Sequence, residues 1–258
     1  LIAQNEIGQV DFKQIFSYLI MQSICGIIAY LITSKYFKRS IPESIIWALT
    51  VALSNHVTLL LPITEIYFQQ DVITQVASII LMDGIILLSV IAFFLELSTK
   101  KNVNLFNFIK NLFLNPFILS IIIGLLFLLL NFNIDQTPIE YTLSKLAACV
   151  SPVGLFAIGI TLSFYTKNVI NKLSVSISVL KLVISPIILL LIGLVFFNAG
   201  LPAEIPGAFF VSVAPCGVTS IVLCAAYNVS PENIIKAIFV STIASIGTIF
   251  FAIKYLTL

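Results

Sequence analysis

Eight apolar windows, each near the length of a membrane span, divide this sequence and constrain its fold more than any other feature. They run over about 15–36, 43–68, 73–96, 112–130, 139–163, 174–197, 206–228 and 233–256, bounded by charge, Asn, Pro or Gly. A helix needs roughly 20 mainly apolar residues to cross the bilayer hydrocarbon. A membrane barrel would instead alternate oily and polar residues over segments of about ten, and ILSIIIGLLFLLL at 118–130 does not alternate. Composition agrees: 60% of the 258 residues are hydrophobic and 9% charged, where soluble domains carry about a quarter charged residues. The predicted fold class is an all-α polytopic membrane protein, multi-pass in a cell membrane, inner or plasma.

Charge placement orients the spans. The gaps after spans one, three and five hold Lys35, Lys38, Arg39, Lys100, Lys101, Lys110, Lys167 and Lys172, and those after spans two, four and six hold Glu65, Asp71, Asp135, Glu140 and Glu204. The basic set is expected at the cytoplasmic face, with both chain ends outside and Lys13 and Lys254 as exceptions. A net charge of +2 without an Arg-rich arm suggests no nucleic acid partner. Cys25, Cys149, Cys216 and Cys224 all fall in apolar spans without metal-ligand spacing and read as small buried hydrophobes. Residues 1–12 lack a basic region followed by an oily core, so no cleavable signal is expected. There is no HExxH, no GxSxG, no second mid-depth carboxyl for an aspartic dyad and no Gly-rich phosphate loop. An enzyme is not expected, nor a cofactor or metal.

One membrane domain spans 1–258. Its second and seventh spans are both interrupted at mid-depth, by SNHVT with Pro62 and by APCGVTS at 214–220. Lying five apart in order, they enter from opposite faces, as inverted copies must. Residues 107–258 then form a complete five-helix repeat and 1–100 the last three helices of another, eight of an expected ten, with two helices missing on the N-terminal side. A single proline such as Pro62 also fits a plain kink. Paired interruptions flanked by small or polar residues favour a crossed pair of broken helices, because freed backbone groups at membrane depth need protein, water or ligand.

A half-helix N-terminus at the crossing suits a carboxylate, and Asn55 adds an amide donor there without a full charge. It is the first substrate-contact candidate; Thr58, Thr219 and Ser220 are weaker, since such hydroxyls usually bond back to their own helix. His56, the only histidine, is more readily a packed residue than a proton shuttle, because adjacent helix positions point about 100° apart. Asp83 lies about 15 Å deep by helix rise. It reads equally as an ion-coupling carboxyl or as a protonated group bonded to a neighbouring helix. Lys145 and Lys181 enter the membrane by six or seven residues and fit snorkelling; Lys181 alternatively pairs with Asp83 or a broken-helix carbonyl.

These stretches, in order, resemble the auxin efflux carrier family, which includes plant PIN proteins and bacterial permeases. NHVTLLLP (Asn55 to Pro62) resembles the family's fourth helix and NPFILSIIIGL (Asn115 to Leu125) its sixth. SPVGLFAIGITL (151–162), LKLVISP (180–186) and APCGVTSIVLCAAYNVSP (214–231) resemble the seventh, eighth and ninth. The resemblance implies ten helices in two inverted halves, with Asn55, Pro62 and Pro215 at the crossing of the broken fourth and ninth. It implies a permease or exporter of organic anions such as carboxylates, and relatives suggest a homodimer. Leu60 stands where the family usually has Gly, and Thr219 where bacterial members often have Asn.

The expected function is secondary transport of a small organic anion by alternating access, with Asn55 holding the anion and proton or sodium coupling through Asp83 left open. The alternative is a non-transporting or truncated membrane interaction or sensor protein of the same fold.

Overall fold

A computed structural model describes residues 11–99, 105–114, 116–130, 134, 136–165, 168–198 and 201–257. Helices account for the architecture, and five of them, Phe12–Tyr36, Gln70–Thr99, Pro138–Thr161, Lys172–Phe197 and Glu232–Leu256, are long and apolar enough to cross a membrane. The first comprises α1 (Phe12–Leu31) and a π-helical turn at Ile32–Tyr36. The second joins α4 (Gln70–Met82) to α5 (Leu88–Thr99) through a π turn at Asp83–Leu87. Between these two lies a broken pair, α2 (Ile41–Ala52) and α3 (Leu61–Tyr67), with α3 entered through a π turn at His56–Leu60.

The C-terminal part repeats this order. A long helix comes first, α9 (Lys172–Val179) and α10 (Ser185–Phe197) around a π turn at Leu180–Ile184. A broken pair follows, α11 (Pro206–Ser212) and α12 (Thr219–Ala226), and then a long helix, α13 (Glu232–Leu256). The intervening stretch holds α6 (Leu105–Phe113), α7 (Pro116–Leu129) and α8 (Pro138–Ser163).

The expected span at 112–130 needs correction. Its first residues belong to α6, and α7 begins afresh at Pro116, because proline is tolerated in a helix's first turn but not in its interior. Asn115, Lys100, Lys101, Asp135 and Lys167 lie outside the described residues.

Local chemistry explains where the broken helices begin. Ser40 caps α2 by accepting from the Glu43 amide, and Pro42 occupies its first turn. The first amides of α11 are satisfied by side chains of other helices: Gly207 N donates to Gln75 Oε1 at 3.1 Å and Ala208 N to Gln14 Oε1 at 3.2 Å. Both breaks follow short, almost wholly buried half-helices, α2 and α11.

The core gathers around these half-helices. α1 lies along α2 and α10, and α13 along α9. A Cβ on Gly26 of α1 would meet Ala48 O and Ala52 Cβ of α2 at 3.6 Å. Small residues at the seam bring backbones close where no hydrophobic force separates helix from lipid. α8, by contrast, exposes most of its length and reaches the core mainly at the π turn 56–60 and at α13. Its Cys149 is exposed, against the expectation of burial, while Cys25, Cys216 and Cys224 are buried. An apolar window does not say which face of a helix has a neighbour.

Candidate functional site

The two breaks touch. Asn55 N donates to Pro215 O at 2.9 Å and Gly217 N to Thr50 O at 3.2 Å, and Ser54 and Cys216 form an isolated antiparallel bridge. Each interruption therefore satisfies backbone groups that the other has freed from its helix, as burial at membrane depth requires. The approach depends on Gly217, since a Cβ there would lie 2.8 Å from both Leu53 Cγ and Leu53 O. Cys216 N is held from the far side by Ser241 Oγ of α13 at 3.2 Å. Four helix ends converge here: the C-termini of α2 and α11, and the N-termini of the π turn at His56 and of α12 at Thr219.

Asn55 is buried at this junction. Its Oδ1 accepts from Thr58 Oγ1, while its Nδ2 is buried and has no hydrogen-bond partner. Pro62, lacking an N–H, leaves the Thr58 carbonyl without its helical donor. Ser151 Oγ of α8 supplies one at 2.5 Å. Pro62 also lines a cleft of about 740 Å³ between α3 and α8, with Val57, Leu61, Ser151 and Pro152 among its walls and Glu65 and Glu140 as its carboxylates. The volume suits a small organic ligand. Asn55 itself does not line this cleft.

Of the other predicted contacts, Pro215 sits in the second break and accepts from Asn55. Thr219 is partly buried and opens α12, and the buried Ser220 bonds back to Gly217 O at 2.8 Å. Leu60, in place of the family's Gly, is fully buried in the hydrophobic core.

Beside the crossing lies a buried chain of polar groups. His56 Nε2 is 3.0 Å from Asp83 Oδ2, and Tyr18 OH of α1 donates to the same oxygen at 3.4 Å. Tyr18 OH is also 3.4 Å from Ser54 Oγ. Ser54 Oγ accepts from Lys181 Nζ at 2.8 Å and donates to Val211 O at 2.9 Å.

Three expectations change here. Lys181 does not snorkel: it is 0% exposed, enclosed by α13, α1 and α2 around its π turn. Its ammonium ends at the C-terminal ends of α2 and α11, where helix dipoles favour a cation. Nor does Lys181 pair with Asp83 directly, because Ser54 and Tyr18 stand between them. His56 follows a break rather than continuing a helix, so the 100° argument that separated it from Asn55 does not apply. Lys145 is exposed, with its ammonium 5.3 Å from the centroid of the Tyr141 ring.

The sequence by itself does not mark Tyr18, Ser54 or Ser151 as site residues. Ser54 is adjacent to Asn55, and that adjacency was the one available signal; nothing in the local sequence distinguishes Tyr18 or Ser151 from ordinary polar residues in membrane helices.

A family model described as membrane transport protein matches residues 3–253. Comparison with curated proteins finds no match.

Proposed function

The chain belongs to the membrane transport protein family, the auxin efflux carrier group, and from that premise we propose that it is a secondary permease for a small organic anion, most simply a carboxylate. The observation that carries the substrate class is the Asn55 amide, whose Nδ2 is buried without a partner. A buried donor left unmade costs about 1–3 kcal/mol, and a carboxylate oxygen would satisfy it. The π turn begins at His56, directly after Asn55, so the partial positive charge of a helix N-terminus adds to the attraction.

The mechanism we infer is alternating access around the crossing. The matching order of long helix, broken pair and long helix in 12–99 and 172–256 supports reading them as parts of two inverted halves. α8, which meets the broken helix mainly around the π turn 56–60, is the element against which the crossing would rock.

Asn55→Ala tests the site. Purified protein is first screened for carboxylates that raise its thermal stability, and uptake of the best of them is then measured in proteoliposomes. The variant is expected to lose saturable uptake at least about tenfold, the equivalent of one good hydrogen bond to a charged group. Uptake at the wild-type rate would remove Asn55 from the mechanism.

A further inference from the structure

The chain His56–Asp83–Tyr18–Ser54–Lys181 does more than seal a polar seam. We propose that His56, held by Asp83 and counterbalanced by Lys181, is a proton-binding site that loads and unloads during transport.

The geometry identifies the atom. A carboxylate at 3.0 Å from Nε2 fixes that nitrogen as the N–H donor in the neutral ring, which leaves Nδ1 as the basic nitrogen. His56 Nδ1 is buried and has no hydrogen-bond partner. It is therefore the vacant position for a proton arriving from water on whichever side is open. Asp83 Oδ1 is likewise buried without a partner, so the carboxylate keeps acceptor capacity to stabilise the imidazolium.

Charge counting assigns the direction of coupling. With His56 neutral, Asp83 and Lys181 cancel, and the buried cluster has no net charge. Protonating His56 adds one positive charge immediately beside Asn55. An anion at Asn55 restores the balance. Net charge in low dielectric is strongly disfavoured, so the two neutral states, empty and doubly loaded, are the ones able to rearrange. Proton and anion then move together, and each raises the affinity for the other by the same factor.

The surroundings leave this cluster as the titrating unit. α1 presents Tyr18 and Cys25, the π turn at 180–184 Lys181, and the second break Cys216. α7 carries no charged residue, and α8 carries none after Lys145. Asp71 of α4, Glu96 of α5, and Glu65 and Tyr67 of α3 lie about 13–20 Å away along their helices. An imidazole and an ammonium in one cluster also argue against sodium, which takes oxygen ligands and is repelled by both when they are charged.

The link to transport rests on the anion reading above, but the proton site can be tested without substrate. His56 is the only histidine, so ring-15N-histidine labelling of the full chain in lipid nanodiscs gives one imidazole signal. That signal is expected to switch from the neutral to the doubly protonated ring as the pH is lowered across the range in which the nanodiscs are stable. Asp83→Asn should weaken proton binding at least about tenfold and Lys181→Met should strengthen it, opposite signs that loss of fold cannot produce. A signal that keeps one protonation state across the range, or moves the same way in both variants, overturns the proposal. So does a midpoint displaced when choline is replaced by sodium, which would assign the site to the metal ion.

Discussion

Ser54 is the residue on which the buried polar groups converge. One hydroxyl donates to Val211 O, accepts from Lys181 Nζ and lies within 3.4 Å of Tyr18 OH. Ser54→Ala would leave a fully buried ammonium without this oxygen and deprive a carbonyl in the last turn of α11 of this donor. Removing a hydrogen-bond partner of a buried charge is expected to cost about 1.5–3 kcal/mol, read as a lowered unfolding midpoint in detergent. Ser23→Ala, at an exposed hydroxyl that only bonds back to Leu19 O, should stay within about 0.5 kcal/mol of wild type. Asn55, His56 and Asp83 were legible in the sequence because amide, imidazole and carboxylate are costly in hydrocarbon. Ser54 and Tyr18 were not, since a hydroxyl in a membrane helix commonly bonds to its own backbone and so signals nothing until its neighbours are known.

The broken pairs owe their contact to a close backbone approach at Gly217. Gly217→Ala would place a methyl 2.8 Å from Leu53 Cγ and Leu53 O, and the backbone oxygen cannot rotate away as a side chain could. Overpacking of this kind costs about 1–3 kcal/mol and should part the hydrogen bond between Asn55 and Pro215. The neighbouring Cys216 is buried, so maleimide labelling followed by peptide mass analysis reads the opening. The variant should raise the labelling rate at Cys216 above wild type and leave the rate at Cys224, which is also buried, unchanged. The interruptions themselves were visible in the sequence as polar and proline residues at mid-depth. The start of α7 was not, because apolar composition runs through Asn115 and Pro116 while helical geometry does not. The burial of Lys181 is hidden for a related reason: sequence gives depth along a span, but not which side of the helix has neighbours.

Across the whole molecule the contrast is between an enclosed core, formed by α1, α2, α4, α5, α9 to α11 and α13, and α8, which touches it at few places. One of them is Thr58, where Ser151 Oγ bonds the carbonyl and a Cβ on Gly154 would lie 3.4 Å from Thr58 Cβ. That separation is close to the 3.5–4.5 Å of a disulfide, so Thr58→Cys with Gly154→Cys, in a Cys149→Ser background, should cross-link α8 to the broken helix. If α8 moves relative to the crossing during transport, oxidation should reduce anion uptake at least about tenfold and reduction should restore it. Equal uptake by oxidised and reduced protein would mean that this contact holds still through the cycle.

Hydropathy and proline position were enough to establish a multi-pass helical protein with two interrupted spans, because the bilayer penalises every unsatisfied backbone group and leaves helices as the remedy. That the interruptions meet, that Lys181 ends between two helix C-termini, and that His56 and Asp83 share a hydrogen bond were decided only by packing. These contacts join residues at least 27 positions apart, and no local pattern encodes which buried polar groups will become one another's solvent.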